Sequence, residues 1–143
     1  MKLQISSRLA IFALLELAAR PDRQLSVAEV GKKYGVSGHH LAKVMNVLSR
    51  AGLVRSVRGA GGGYQFSGNA RRTTLFDVVQ LFENLNSGNA PFAAGDRTDA
   101  GRALREVIGE IDHIAQATLG SITIATMLKL VDRRQTAGRR SAK

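Results

Sequence analysis

Between residues 26 and 66 the hydrophobic period changes from that of helices to that of strands, and this change constrains the fold most strongly. Ser26 and Glu29 have the spacing of a capping box, which opens a short helix, "VAEVGKKYG", that Gly35 ends. Ser37 caps the next helix, "GHHLAKVMNVLSRAG". That helix carries one apolar stripe, formed by Leu41, Val44, Met45 and Leu48. Two helices joined by the tight turn "YGVS" predict a helix-turn-helix.

The residues that follow predict a β-hairpin. "LVRSV" alternates apolar and polar residues, "GAGGG" bends the chain and "YQF" returns, so the tip spans Arg58 to Gly63. A helix-turn-helix followed directly by a hairpin is a winged helix. Glycines let main-chain N–H groups approach phosphates, and an arginine can enter the minor groove of DNA. Four glycines in five positions favour a contact loop; the alternative is that they only permit the turn.

The charge of the chain points to a polyanionic partner. Its 143 residues include 21 Lys and Arg against 11 Asp and Glu, a net charge of +10. Residues 1–84 carry twelve basic and five acidic residues, a net +7, and the remainder carries +3. Nucleic acid is the commonest polyanion that a basic domain attracts, whereas solubility alone is the other explanation.

Composition also excludes several classes of protein. The chain has no cysteine, so disulfides, thiolate metal sites and cysteine nucleophiles are absent. No apolar run reaches the roughly 18 residues of a membrane span, and the N-terminus lacks a signal-peptide pattern, so we expect a cytoplasmic protein. With three histidines and scattered acids, we expect no catalytic residues, no metal site and no enzyme.

The flanking segments predict helices. "SSRLAIFALLELAAR" predicts a buried helix from about 7 to 19, capped by Ser6 or Ser7. "TTLFDVVQLFEN" predicts a capped helix from about 74 to 84, and residues 85–101 a loop. The stretch 102–119 has one long apolar stripe, which favours pairing with a second copy. We expect its interface residues to be Leu104, Val107, Ile108, Ile111, Ile114 and Leu119.

The run "AGLVRSVRGAGGGY", with "VSGHHLAKVMNVLSR" before it and "TTLFDVVQLFE" after it, resembles the Rrf2 family of bacterial transcription regulators. The resemblance covers nearly the whole chain, and the glycine-rich wing is its most specific element. It implies a winged helix-turn-helix homodimer that binds double-stranded DNA at a palindromic operator in a promoter.

The resemblance also implies which residues contact DNA. The start of the second helix would lie in the major groove and the wing arginine in the minor groove. The DNA-binding residues would be Ser37, His39, His40, Lys43, Arg50, Arg58, Gly59 and Gly61. Alternatives stay open for two of them: Ser37 as a helix cap and His40 packed against the wing. Ala42 departs from a glutamate common in the family, so the target sequence is open too.

Many relatives hold an iron–sulfur cluster through cysteines between the fourth helix and the long helix, where this chain has none. Ala94 and Ala100 stand in roughly comparable places. We therefore expect no cofactor. A signal, if there is one, would come from a small-molecule effector between the long helix and the winged domain, or from a protein partner.

The sequence thus predicts a mainly α fold with a small β-hairpin wing and a long C-terminal dimerisation helix. Residues 1–84 would form the winged helix-turn-helix domain, 85–101 a loop, 102–131 the dimerisation helices and 132–143 a disordered basic tail. The expected function is that of a dimeric, sequence-specific transcriptional regulator, a repressor. The alternative is a winged-helix module that contacts proteins and does not bind DNA specifically.

Overall fold

The computed structural model describes residues 1–59 and 62–142. Six α-helices and a two-stranded antiparallel sheet follow one another along this part of the chain. Their bounds are α1 Ile5–Ala19, α2 Val27–Tyr34, α3 Gly38–Arg50, β1 Val54–Val57, β2 Gly63–Phe66, α4 Leu75–Val79, α5 Asp99–Ser121 and α6 Ile124–Ser141, with a short 3-10 turn at Ser87–Asn89. The predicted fold class, a mainly helical winged helix-turn-helix, is confirmed.

Helix α1 forms the centre of the core. Nine of its fifteen residues are buried, and they cover most of the helix circumference rather than one narrow stripe. Only the side with Arg8, Phe12 and Glu16 is less buried. A helix that is apolar over most of its surface belongs in the core. The fully buried side chains of α1, Leu14 and Leu17, pack in the same cluster as Leu41 and Leu48 of α3.

A side chain distant in sequence caps the start of α1. The prediction that Ser6 or Ser7 caps this helix is wrong, because the N-cap is Gln4 and its side chain forms no capping bond. Instead, Oε2 of Glu83 accepts hydrogen bonds from the amide of Gln4 at 2.9 Å and from Oγ of Ser7 at 2.6 Å. A carboxylate is well suited to this end of the helix dipole.

The helix-turn-helix has the predicted N-cap residues, but of the capping box predicted at Ser26 and Glu29 only the bond to the Ser26 side chain is formed. Oγ of Ser26 accepts the N–H of Glu29 at the start of α2, and Oγ of Ser37 accepts the N–H of His40 at the start of α3. Gly35 ends α2 with φ of +67°, the left-handed conformation that glycine adopts without strain. The angle between the two helices is therefore set by local residues.

The wing pairs Val54 with Phe66 and Val57 with Gly63. Leu25, in the link between α1 and α2, extends it: its N–H and C=O bond to the C=O and N–H of Tyr64 at 2.9 and 2.8 Å. This third segment joins the hairpin to the helical core.

Helix α4 is shorter than predicted. Thr74 and Asp77 form a full capping box at its start, but the helix ends at Val79 rather than near 84. Beyond Val79 the chain tightens, with the N–H of Phe82 bonded to the C=O of Val79, three residues back. This turn brings Glu83 to the start of α1, which explains why the helix stops.

Helices α5 and α6 form an arm after the winged module. Helix α5 begins at Asp99, three residues before the predicted start, because Oγ1 of Thr98 caps it by accepting the N–H of Gly101 at 3.0 Å. Its 23 residues give a length of about 35 Å. The arm is anchored at the α5–α6 junction, where Ile124 is fully buried and its N–H donates to the C=O of Thr73.

The predicted disordered tail is helical. Helix α6 continues to Ser141, so the prediction is wrong for residues 132–141, while Lys143 lies outside the described residues. This segment consists largely of Arg, Gln and Ala, which favour helices. Arg139 and Arg140 lie in the last turn, where positive charge is favourable. No helix in the described part of the chain combines the length and the apolar character that crossing a membrane requires.

Candidate nucleic-acid interface

Helix α3 separates an apolar face from a polar one. Leu41, Val44, Met45 and Leu48 are buried against the core, as the stripe predicted. The opposite face is fully exposed and follows helical spacing of four, three and four residues. It consists of His39, Lys43, Asn46 and Arg50.

Asn46 is a residue that the sequence argument missed. It lies on the exposed face between Lys43 and Arg50. An asparagine side chain can donate to and accept from an adenine edge in the major groove, which suits it to base recognition. Its helical spacing from His39 and Lys43 already places it on the same face of α3, so the sequence alone could have identified it.

The two adjacent histidines differ in their exposure and contacts. His39 is exposed, whereas His40 is partly buried and its Nε2 lies 3.1 Å from Oγ of Ser6 in a hydrogen bond. The structure therefore ties His40 to the start of α1 rather than to the wing, which was the alternative considered from the sequence. Of the two rings, that of His39 is the one available to a ligand.

Ser37 acts as the N-cap of α3. Its oxygen accepts the N–H of His40 at 3.2 Å, which is the structural role the sequence left open. The cap uses one of the two lone pairs of this oxygen, so its O–H and its second lone pair remain for DNA.

The wing presents one cation near its tip. Arg58 is exposed, and within the described residues its guanidinium has neither a hydrogen-bond nor an ion-pair partner. Gly59 follows with φ of +115°, a conformation that strains any residue with a side chain. Gly61, also assigned to DNA binding from the sequence, lies outside the described residues.

The other wing glycines have reasons within the fold. A Cβ at Gly62 would lie 2.6 Å from the carbonyl oxygen of Val57, and a Cβ at Gly63 would collide with the carbonyl of Leu25. At these positions the structure favours the alternative that the glycines permit the turn. Gly59, Gly62 and Gly63 are explained by backbone geometry, and the case for DNA contact at the wing depends on Arg58.

Arg55 is part of the wing framework. Its Nη2 donates to Oε1 of Gln65, directly opposite it on β2, at 2.8 Å. Nε2 of Gln65 donates in turn to the carbonyl of Pro21 at 2.9 Å. This chain of bonds fixes the wing against the link between α1 and α2.

A partly buried carboxylate fixes α2 on α1. Oε1 of Glu16 accepts from Nζ of Lys33 at 2.5 Å and from the hydroxyl of Tyr34 at 2.6 Å. Burial opposes ionisation of Glu16, but the bonds from Lys33 and Tyr34 outweigh it, so its pKa lies below the ordinary value. Burial and the neighbouring carboxylate raise the pKa of Tyr34. Lys33 is thus paired within the fold.

The segment between α4 and α5 folds around an arginine. Nη1 of Arg105 lies 3.1 Å from Oδ2 of Asp96, and both side chains are mostly buried. Its Nη2 donates to the carbonyls of Gly88 and Ala90 at 3.3 Å, and the guanidinium lies over the ring of Phe92. We call this group the Arg105 cluster. It organises the segment in which the resemblance implied a metal cluster in relatives.

A second contact ties the same segment to α5. The amide and hydroxyl of Ser87 both donate to Oδ2 of Asp112, and these bonds hold the pKa of that carboxyl below its ordinary value. Nε2 of Gln116 donates to the carbonyl of Leu85 at 3.1 Å. The loop thus follows the surface of α5.

Helix α5 leaves its apolar face uncovered. None of its residues is buried, and the exposure of its five exposed large apolar residues ranges from 39% for Ile108 to 67% for Ile114. Five of the six residues predicted for the dimer interface form this face: Leu104, Val107, Ile108, Ile111 and Ile114. The sixth, Leu119, is partly buried against the core of its own chain and does not belong to the exposed face.

Comparison with known proteins agrees with the geometry. Residues 3–130 match the model of the Rrf2 family, described as iron-dependent transcriptional regulators. The chain is 48% identical over 132 residues to BadM of Rhodopseudomonas palustris, which is named as an HTH-type transcriptional regulator. That match covers 92% of this chain and 84% of BadM.

Two solved structures have the same fold. IscR of T. potens superposes with a TM-score of 0.76 at 27% identity, over 94% of this chain and 91% of IscR. CymR, the global cysteine regulator of B. subtilis, superposes with a TM-score of 0.75 over 91% of this chain and 98% of CymR; at 24% identity it shows the fold alone. The chain is a helix-turn-helix transcriptional regulator of the Rrf2 family.

Proposed function

We propose that the protein is a cytoplasmic homodimer that binds a palindromic operator and represses transcription without an iron–sulfur cluster. The observation that carries the DNA-binding part is the exposed polar face of α3, with His39, Lys43, Asn46 and Arg50 in register above a fully buried opposite face. A helix supported in this way can enter the major groove, which is wide enough to admit it.

Each residue has a role that its surroundings support. His39 and Asn46 contact base edges, because both are exposed and both can donate and accept. Lys43 and Arg50 neutralise phosphates and add affinity without sequence information. Ser37 fixes the start of α3, and His40 positions that start against α1.

The wing supplies the second contact. Arg58, without a partner in the described fold, enters the minor groove, where the negative potential attracts arginine. Gly59 gives the backbone the turn that aims Arg58 outward. Residues 1–84 are thus the DNA-binding part of the chain.

The uncovered face of α5 supports pairing of two copies. Contiguous apolar patches that monomers rarely expose mark interaction sites. The patch lies on one face of a helix about 35 Å long, so two copies can pair along their length. The two recognition helices would then lie about 34 Å apart, which matches successive major grooves.

The residues of this chain do not fit the iron–sulfur centre that the family description implies. Clusters are held by cysteine thiolates, with histidine replacing some of them in rare cases, and this sequence contains no cysteine. His39 and His40 lie at the start of α3, and His113 lies in α5. Among residues 1–59 and 62–142, no three His, Asp or Glu side chains converge on a metal site. A switch in DNA binding would therefore act through packing between the two halves of the dimer.

Selection from a random duplex library tests the proposed function. The protein should enrich a palindrome whose half-sites are one helical turn apart, about 10 base pairs, or a multiple of it. Enriched sequences should be protected in footprinting, and a promoter that carries one should lose transcription in vitro when the protein is added. Binding without any enriched sequence, or enrichment of a single half-site only, would contradict the proposal.

A further inference from the structure

The C-terminal half of α6 is the most basic helical segment of the chain. Residues 129–143 contain six basic residues and one acidic residue, a net +5, which is half of the +10 of the whole chain. Residues 85–128, which include most of α5, carry three basic and five acidic residues, a net −2. The positive charge outside the winged module is therefore concentrated at this end of the chain.

This charge is presented on a helix. Residues 129–141 belong to α6, and every one of them is exposed. A helix holds its cations at fixed spacing, so several can meet an anionic surface together with a smaller loss of conformational freedom than in a flexible tail. The cations of this segment are Lys129, Arg133, Arg134, Arg139 and Arg140.

Helix α6 passes the end of α1 on its way to this segment. A cleft of about 830 Å³ is lined from one side by Leu128, Val131 and Gln135 of α6 and from the other by Arg20 and Arg23, among others. Arg139 follows Gln135 by one helical turn and lies on the same face of α6. The basic half of α6 thus extends past the two arginines that follow α1.

The same flank of the module carries the wing. Leu25 bonds to Tyr64 of β2, and the side chain of Gln65 bonds to the carbonyl of Pro21 at 2.9 Å. The other end of α1 is marked by the bond between Ser6 and His40 at the start of α3. Because α1 is about 22 Å long, the basic end of α6 lies on the wing flank, distant from the start of the recognition helix.

We propose that the C-terminal half of α6, with Arg20 and Arg23, binds the phosphate backbone of DNA beyond the wing, outside the operator half-site. This proposal rests on the proposed DNA-binding function and extends it. Arg20 and Arg23 are exposed, and in the described part of the chain neither side chain forms a hydrogen bond or a close ion pair, although the charge of Arg20 also acts on Glu16. Both guanidinium groups can therefore meet phosphates.

The composition of the segment selects DNA over an anionic membrane. A helix that lies in a membrane surface needs large apolar side chains on one face. In residues 129–142 the only large apolar side chains are Leu130 and Val131, and residues 132–142 contain none larger than alanine, so no apolar face runs along the segment. Their contacts are therefore with phosphates and independent of base sequence, as backbone contacts are.

Three proteins test the proposal: the wild type, a charge-removing Arg139→Gln/Arg140→Gln variant and a charge-preserving Arg139→Lys/Arg140→Lys variant. Each is titrated with the selected operator in duplexes with minimal flanks and with flanks of about 10 base pairs, one helical turn. A mixed-sequence duplex of about four turns serves as the third probe. Circular dichroism checks that helix content is equal in all three proteins.

The wild type should bind the long-flank duplex about 5- to 10-fold more tightly than the short one. The slope of log K against log salt concentration should also be steeper by roughly two for the long duplex. The glutamine variant should lose both differences, and the lysine variant should keep them. Equal binding of the wild type to both operator duplexes, or an unchanged preference in the glutamine variant, would overturn this proposal and leave the proposed function intact. If the wild type shows no sequence preference but its salt dependence on mixed-sequence DNA falls in the glutamine variant, the flanking contact stands and the proposed function fails.

Discussion

The winged module and the α5–α6 arm use their apolar residues in opposite ways. In α1, nine of fifteen residues are buried, and most of the helix surface is covered by other parts of the same chain. In α5, none of 23 residues is buried, although the helix carries five large apolar side chains on one face. The same kinds of residue thus complete a core in one region and leave a surface uncovered in the other.

This difference shows that hydrophobic content alone does not say where a helix gains its stability. Apolar surface stabilises a structure only when another surface covers it and removes it from water. The core of the module closes within one chain, whereas the apolar face of α5 needs a second surface. The predictions below separate these two sources of stability.

The largest effect should come from charge on the uncovered face of α5. An Ile108→Asp/Ile111→Asp variant would bury unpaired carboxylates in the dimer interface, and we expect dissociation to be favoured by about 4 kcal/mol or more, a thousandfold change. Sedimentation should show a monomer with wild-type helix content. Ala117→Asp, on the polar face of the same helix, is the control and should stay dimeric. A dimer of unchanged stability in the double variant would place the interface elsewhere.

The next effect compares two apolar side chains in that monomeric background. Leu14→Ala removes a fully buried side chain from the core, and we expect it to lower the free energy of unfolding by about 2–5 kcal/mol. Ile114→Ala removes one that is 67% exposed and should stay within about 0.5 kcal/mol. Urea denaturation measures both. Equal losses would show that α5 is covered within a single chain.

The Arg105 cluster lies between the two regions and should have an intermediate effect. Arg105→Gln removes the ion pair with Asp96 and bonds to two carbonyls, so we expect a loss of about 1–3 kcal/mol. Hydrogen exchange should accelerate at the amide of Ala93, which donates to Oδ2 of Asp96. Arg102→Gln breaks only an exposed pair with Asp99 and should change stability by less than about 0.5 kcal/mol. Unchanged exchange at Ala93 would mean that the segment is held by other contacts.

Arg58 tests whether the wing of the module contacts the operator itself. Arg58→Ala should weaken operator binding by about 1–3 kcal/mol and lower the salt slope by roughly one, because it removes one charged wing contact. Fluorescence anisotropy across a salt series measures both quantities. Arg102→Ala, which removes a cation from α5, should leave them unchanged, and an Arg58 variant that binds like the wild type would remove the wing from the interface.

The parts of the fold predictable from sequence are those set by neighbouring residues. Ser26 and Ser37 cap the helices that they precede, and Gly35 ends α2. The apolar stripe of α3 is also local, because helical spacing alone defines its buried face. The exposed face follows from the same spacing, so Asn46 could have been identified with Lys43 and Arg50.

The parts that sequence did not predict depend on residues far apart in the chain. Glu83 caps α1 from 76 residues away through Ser7, and Gly63 is required by the carbonyl of Leu25. The partner of His40, Ser6, is likewise remote. No periodic pattern in the sequence predicts such pairs of residues, because each contact forms only when helices and strands pack together.

The smallest effect should appear as a pH dependence at Glu16, where α2 meets α1. The folded pKa of Glu16 lies below its ordinary value of 4.5. Its contribution to stability is therefore present above pH 4.5 and is lost as the pH falls through the folded pKa. The contribution of Tyr34 to stability depends on pH in the opposite direction. Its folded pKa is raised above the ordinary value of 10.0, so the contribution is present below pH 10.0 and is lost as the pH rises through the folded pKa.

Glu16→Gln should make the free energy of unfolding depend less on pH in the acidic range. The amide keeps an acceptor for Tyr34 but loses the charge that Lys33 pairs with at 2.5 Å, so the free energy of unfolding should fall at neutral pH and change less between pH 4.5 and lower values. Urea denaturation at a series of pH values measures the profile, with Glu106→Gln on exposed α5 as the matched control. Since Glu16 joins two helices of the module, its variant should leave the dimer intact. A profile identical to that of the wild type would mean that the pair between Glu16 and Lys33 adds nothing to the stability of the folded module.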